Sequence, residues 1–417
     1  MSRDTLVRPT HCGEQRNRPL QSPLRGELEQ LMTRMDVVDV GDGACSVVDS
    51  LRTSSMMVID CGSLYDVSGA LSAHRLAKSI LPRISRLQSL AVSHFDADHW
   101  KGLAALPALL PQAAVIRGTL DFIYPDLPAT ARWVPALLQA LATHMPAYPA
   151  GSTAEVIDAW AARGVRLQRC PKHAGQSFHA AGQDWNVLWP PALLPVGWGR
   201  RATALIRRAR ELANRPENDW LNDAFEKAYG GSWGADIDLD VSERDAFDPW
   251  ERAQNDLAGP FDESEDAFDD DGDNSDDGGE FEDASKLGDS YGTGARVETS
   301  GKTTVSEPIK DLFGRLQGLN NELSLVLSSG SGRLLAMGDV KGFGLRRTLQ
   351  HPRLRARYMT ILVPHHGTIA PTARQASLLP QACWLVAQNG PIHHPRLRQA
   401  YISRSVRCTH HEGDIRV

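Results

Sequence analysis

A chain that reads LAVSHFDADHWKG at 90–102 must bury Leu90–Val92 and then, within seven residues, accommodate two histidines and two carboxylates. A short apolar run beside such dense polar chemistry suits a buried strand whose end opens at the edge of a sheet. His94 and Asp96 alternate and so point to one side of extended backbone. Asp98 and His99 follow on the turn into a helix that continues through KGLAALPALL. Four nitrogen and oxygen donors in six residues make a ligand cluster for a divalent metal.

Three other apolar runs end in the same chemistry. Asp60 closes MMVIDCG, Asp339 closes LLAMGDV, and His365 and His366 close ILVPHHG. A lone Asp at a strand end serves most often as a turn former or helix cap. Several such ends meeting at one sheet edge form a site.

The rest of the pattern is alternating α/β. Two β-branched runs at 35–50 are split by GDG, a hairpin signal. A strand is expected at 56–62, a helix at 71–86 and a strand at 87–94. Strand and helix then alternate near 114–117, 130–146, 153–163 and 165–169, with a strand at 184–190 and helices at 200–214 and 219–229. Order resumes with strands at 321–329 and 332–340, the helix FGLRRTLQ, strands at 358–367 and 382–390, a helix at 395–402, and a terminal hairpin in VRCTHHEGDIRV.

Between these parts the composition changes. Residues 236–289 hold 22 acidic and three basic residues, so the net charge of -6 conceals a surplus of 13 positive charges elsewhere. Dense like charge with few aliphatics cannot offset ordering entropy, so 236–306 is expected to be a disordered acidic insertion. It is not an EF-hand, because DDDGDNSDDGGE has Asn274 where the calcium loop needs glycine. The basic remainder has the sign of a body that meets phosphates. Residues 1–33 read as a flexible arm, 34–235 and 307–417 as two halves of one domain, the first with helical additions.

At 41% hydrophobic and 23% charged residues, the chain can bury a sizeable core. No run of apolar residues is long enough to span a membrane, and the first thirty residues lack a signal-peptide core, so a cytoplasmic protein without membrane contact is expected. Cys12, Cys45, Cys61, Cys170, Cys383 and Cys408 are widely spaced and form no CxxC pair, which argues against a disulfide framework or a zinc knuckle.

HFDADH resembles the metal-binding motif H-x-H-x-D-H of the metallo-β-lactamase superfamily, with Asp96 in the second histidine position. The resemblance is sharper to the ComEC/Rec2 competence-protein subgroup. Its D-V-G-x-G hairpin and I-D-x-G strand are matched by DVGDGACSVV and VIDCG. SHFDADHWKG, NELSLVL, MGDV, VPHHGT, HHPR and THHEGDIRV follow in the family's order, over about 35–110 and 320–417. The resemblance implies an αβ/βα sandwich of two mixed sheets with helices outside and a two-metal site along one edge. His94, Asp96, Asp98, His99, Asp339 and one of His365 and His366 would be the ligands, with Asp339 as bridge. Two departures are visible: Asn321 stands near the place of the usual third-motif histidine, and the membrane channel of full competence proteins is missing.

A carboxylate in place of an imidazole hardens the site, favouring Mn2+ or Mg2+ relative to a histidine-rich Zn2+ site, although Zn2+ stays open. Two such ions about 3.5–4 Å apart activate water at neutral pH and hold a phosphoryl group in line, with Asp98 among the catalytic groups. Lys341, Arg346 and Arg347, just after Asp339, are candidates to neutralise a substrate phosphate, or else a solvated helix face. His394 is a candidate general acid or substrate-phosphate donor, a role His393 could take instead; both could simply cap the helix at 395–402, and His410 and His411 are weaker candidates to line the site. The expected activity is a phosphodiesterase or nuclease cleaving DNA or RNA, with the acidic insertion as an internal competitor for the basic cleft. Two alternatives are a hydrolase of a small ester, lactone or phosphodiester, and an inactive binding or regulatory protein on the same fold.

Overall fold

The computed structural model describes residues 33–223 and 305–417, apart from 67, 117, 129–130, 132, 143–152 and 403. The arm and the acidic insertion therefore fall, but for their last residues, outside the described residues. The second helix expected at 219–229 is described only as far as 223.

The first half runs β1 (Thr33–Val37), β2 (Cys45–Ser50), β3 (Ser55–Cys61), α1 (Ala70–Ile80), β4 (Leu87–Ala91), α2 (Ala97–Leu109), β5 (Thr119–Pro125), α3 (Trp133–Ala142), α4 (Thr153–Ala162) and β6 (Arg166–Lys172). Then come β7 (Ser177–Ala180), β8 (Gln183–Trp189), α5 (Val196–Ala213), α6 (Glu307–Glu322), β9 (Val326–Ser329), β10 (Leu334–Ala336) and α7 (Gly342–Leu349). The chain finishes with β11 (Arg357–Leu362), α8 (Ala373–Leu378), β12 (Gln381–Ala387), α9 (Gln399–Ile402), β13 (Arg407–Cys408), α10 (Thr409–Glu412) and β14 (Ile415–Arg416).

These strands build two seven-stranded sheets, ordered β14-β1-β2-β3-β4-β5-β6 and β13-β12-β11-β10-β9-β8-β7. In each, an antiparallel part passes into a parallel part, at β3–β4 in one and β10–β11 in the other. Alternation along each strand decides the layers. In β3, Met57 and Ile59 join the core between the sheets, where Trp185, Leu327, Leu334 and Val386 come from the opposite side. Met56 and Val58 face the other way, against Leu76, Ile80, Trp100, Leu103 and Trp160 of the helices. A separate apolar layer covers the outer face of the second sheet, with Leu345 and Leu349 of α7 packed on Leu335 and Ile361. The result is the αβ/βα sandwich that the sequence resemblance implies, with helical additions α3, α5 and α6 sharing a cluster of their own.

Several elements depart from the sequence reading. The expected helix at 71–86 breaks after Ile80 into a 3-10 turn carrying Pro82, because proline cannot donate to a continuing helix. The expected strand at 321–329 begins as the last turn of α6, and only Val326–Ser329 are extended. Helix α6 was not expected at all. Its Ser306 cap, Glu307 and Pro308 in the first turn, and buried Ile309, Leu312, Phe313, Leu316 and Leu319 mark an amphipathic helix running up to the motif. Strand β5 lies at 119–125 rather than at 114–117. The strands expected at 332–340 and 358–367 stop at Ala336 and Leu362, and Pro364–Gly367 form a 3-10 turn. The terminal hairpin is replaced by a crossover: β13 pairs parallel with β12 in one sheet, and β14 pairs antiparallel with β1 in the other.

Candidate metal centre

Every residue of the centre lies at or just beyond the carboxyl end of a strand in the parallel parts of the sheets, the edge where open α/β sheets hold their ligands. Asp60 sits near the end of β3, the loop from β4 to α2 carries His94 to His99, Asp339 follows β10, and His365 and His366 follow β11. Close backbone approach makes this possible. A Cβ on Gly62 would collide with the Ala97 carbonyl oxygen and come within 2.8 Å of His99 N, so only glycine lets β3 pass under the start of α2. Gly338 takes φ +53 just before Asp339, with its Cβ position 2.9 Å from Ser93 Cβ.

Asp339 lies between two groups of histidines. Its Oδ1 is 3.3 Å from His99 Nε2 and 3.5 Å from His366 Nε2. Its Oδ2 is 4.0 Å from His94 Nε2 and 3.9 Å from His365 Nε2. Asp98 Oδ2 completes the first group, 3.3 Å from His366 Nε2 and 3.7 Å from His99 Nε2. Asp96 Oδ2 completes the second, 3.5 Å from His94 Nε2. Asp98, His99, Asp339 and His366 offer donor atoms that all lie within 4.8 Å of one another, and all four are buried. Both His365 and His366 reach Asp339, one on each oxygen.

The histidines are held so that each ring offers the lone pair of Nε2. His366 Nδ1 donates to the Gln388 carbonyl at 2.7 Å. His99 Nδ1 donates to Asp60 Oδ2 at 3.0 Å, while Asp60 Oδ1 accepts the Ser93 N–H at 2.7 Å. The Thr368 hydroxyl donates to the His365 carbonyl at 2.8 Å, which leaves it to accept from His365 Nδ1 at 2.6 Å. Ser93 Oγ lies 3.1 Å from Nδ1 of both His94 and His99. Such outer contacts fix the tautomer that a metal ligand needs.

The residues fit a cation. The Nε2 atoms of His94, His99 and His366 are buried and lack a hydrogen-bond partner among the described residues. An unmatched buried polar atom costs about 1–3 kcal/mol, and three aimed at one aspartate call for a positive partner. Asp60, His365 and His366 also adopt left-handed backbone at φ +56, +49 and +56. Non-glycine residues rarely do so, and such strain gathers at functional sites.

Charge reinforces the arrangement. Burial opposes ionisation of Asp339, yet His366, His99 and His365 together hold its carboxyl well below the usual range. Asp98 is likewise lowered against its burial, by His99 and His366. Burial disfavours the charged forms of His99 and His366, but Asp339 and Asp98 outweigh it and raise both. Without a metal the histidines thus take up protons in its place, so metal binding competes with protons.

The other expected residues divide. Lys341 precedes α7 and extends toward α6, where a Cβ on Gly318 would lie 3.9 Å from its Nζ. Arg346 and Arg347 sit on α7 with both guanidinium groups packed on the Phe343 ring, at 5.4 and 5.0 Å. Asn321 is buried in the last turn of α6, and Asn320 and Gln317 donate to Asp96, at 2.7 and 3.2 Å. His393 stacks on His366 at 4.5 Å between centroids. Burial and then His366 push it down to about 3, so at pH 7 it is a neutral imidazole, suited to hydrogen bonding and not to proton donation. His394 turns to His411 and His410 instead, at 4.2 and 4.8 Å between centroids.

Asp42 was missed. It belongs to the DVGDG loop, and its Oδ1 accepts the N–H groups of Gly390, Ile392 and His393 at 3.0, 3.1 and 2.7 Å, which fixes the loop beside His366. Asn320 and Gln317 were missed with α6. Their three-residue spacing on a helix face was a readable signal.

No protein-family model matches the sequence, and no curated protein matches it. Among solved structures, the metallo-beta-lactamase fold protein YhfI from Bacillus subtilis shows a likeness at 13% sequence identity and a TM-score of 0.23, over 37% of this chain. The match spans about half of that protein, 52% of its length. No helix among the described residues is long and apolar enough to cross a membrane.

Proposed function

We propose that the protein is a metal-dependent hydrolase and that its substrate is a phosphodiester of DNA or RNA. One observation carries the first part: Asp339 presents one carboxylate oxygen to His99 and His366 and the other to His94 and His365. Such a donor set would suit two divalent ions. Asp98, His99 and His366 would hold one, and His94, Asp96 and His365 the other. Bound there, the ions would supply charge neutralisation and an activated water for phosphoryl transfer. The carboxylates favour Mn2+ or Mg2+, and the imidazoles keep Zn2+ in contention.

The chain's own residues account for the rest. Asp42 and His366 position His393, whose neutral ring can hydrogen-bond a substrate oxygen. Lys341, Arg346 and Arg347 lie on the element that leads out of Asp339 and bring positive charge to that edge. A basic body suits a polyanion, since each phosphate contact releases counterions and makes affinity fall with salt.

The test is cleavage of labelled single- and double-stranded DNA and RNA with Mn2+, Mg2+ or Zn2+, beside an Asp98→Ala/His99→Ala control. Metal-dependent cleavage that vanishes in the control is the expected result. A protein that holds two metals but cuts no polymer would move the substrate to a small ester or phosphodiester. One that binds no metal would overturn the hydrolase reading.

A further inference from the structure

A second group of metal-ligating side chains lies apart from the Asp339 centre. His394, Cys408 and His411 bring one ring nitrogen each and the Cys408 Sγ within 4.8 Å of one another. Two separate pieces of backbone meet there. His394 opens a 3-10 turn (His394–Arg396) after β12, Cys408 ends β13, and His411 stands three residues on, within α10. Residues three apart at a helix start share a face, which is why Cys408 and His411 converge. His410 adds a third ring to the group, 4.8 Å from His394 and 5.1 Å from His411 between centroids.

We infer that His394, Cys408 and His411 form a separate zinc site. One thiol with two or three imidazoles is soft and nitrogen-rich, unlike the carboxylate-rich centre at Asp339, and such a donor set selects Zn2+ over Mg2+ or Mn2+. Zinc holds sulfur at about 2.3 Å and imidazole nitrogen at about 2.0–2.1 Å, so the three donors need to close by only about 1 Å. Cys408 is buried and free, and burial keeps its thiol in the protonated form. Coordination would break the S–H bond, form the S–Zn bond and release the proton to solvent, so uptake should strengthen as pH rises. Burial and the two neighbouring histidines keep His394 in its neutral, ligating form.

The site has a structural consequence. His393 and His394 are adjacent, and one stacks on His366 while the other enters the zinc group. An ion at Cys408 would clamp the His393–His394 segment to β13 and α10, and so steady the ring beside the Asp339 centre.

The unaltered chain, loaded and dialysed, should hold one more Zn2+ than the variants Cys408→Ser and His411→Gln. Loaded with Co2+, it should show a sulfur-to-cobalt charge-transfer band in the near ultraviolet. That band should disappear in Cys408→Ser and persist in Asp98→Ala/His99→Ala, which separates this site from the Asp339 centre. His411 is exposed, so His411→Gln tests the site even if loss of Cys408 impairs folding. Unchanged zinc content in His411→Gln, or no charge-transfer band in the unaltered chain, would overturn the inference.

Discussion

Asp60 Oδ2 stands 3.0 Å from His99 Nδ1, on the side of the ring opposite the metal centre, and Asp60 itself sits at φ +56. The aspartate therefore sets the tautomer of a candidate metal ligand from outside the donor cluster. Asp60→Asn keeps a side chain that tolerates left-handed backbone but loses the charge, while Asp60→Ala loses the acceptor as well. Metal affinity should fall about tenfold in the first and about a hundredfold in the second. Titration against a competing chelator reads this directly, and equal affinity in all three proteins would remove Asp60 from the site.

The Asn320 amide donates to Asp96 Oδ1 at 2.7 Å, and Gln317 donates to Oδ2 at 3.2 Å. These contacts belong to one half of the centre only. Asn320→Ala should weaken the ion near His94 and Asp96 by about tenfold and leave the one near Asp98 and His366 in place. At limiting metal, elemental analysis should then give close to one ion per chain at this centre rather than two. Loss of both together would mean that the halves do not load independently.

The candidate donors were legible because each lies at or just beyond the end of an apolar run, and a buried strand must deliver such residues to the sheet edge. His94, Asp96, Asp98, His99, His365 and His366 all lie near Asp339 or one another, His365 and His366 both on Asp339 where the sequence reading took only one of them. What the sequence hid is long-range. Asp42 reaches His393 across some 350 positions through backbone N–H groups, which leave no mark in the pattern of side chains. His394 and His393 are neighbours in the same motif, and only the course of the 3-10 turn decides which one faces His366. The crossover of β14 to the first sheet was equally hidden, because a two-residue strand reads alike in either sheet. Helix α6 was overlooked because the family-like motif begins inside its last turn.

Half-buried Arg83 lies between two buried carboxylates, 2.5 Å from Asp36 Oδ2 and 3.0 Å from Asp49 Oδ2. Without it the two buried carboxylates share fewer cations, Arg34 and Arg416 staying on Asp36 and Arg86 on Asp49. Arg83→Met should cost about 1.5–3 kcal/mol in denaturant unfolding at pH 7. The deficit should shrink in acid. Burial works to raise the Asp36 pKa, but Arg34 and Arg83 lower it overall. A lowered carboxyl stabilises the fold above its unfolded pKa of about 3.9, and that contribution is lost as pH falls through the folded value. A deficit that stays constant down to pH 3 would assign the effect to packing.

His393 gives the opposite half of the site a signature in pH. Burial and the adjacent His366 push its folded pKa down to about 3, whereas in the unfolded chain a histidine titrates near 6.5. Between those values the unfolded chain binds a proton that the folded protein refuses. Stability is therefore complete above about pH 6.5 and declines as pH falls toward the folded value. For a shift of this size the decline between pH 7 and pH 5 amounts to about 2 kcal/mol. Other groups in the centre titrate over the same range, with His99 and His366 raised rather than lowered, so only the difference between proteins isolates His393. Metal-free His393→Gln, unfolded in denaturant at both pH values, should lose less stability on acidification than the unaltered chain. Equal losses would mean that His393 already takes up its proton in the folded state, and would restore it as a candidate proton donor.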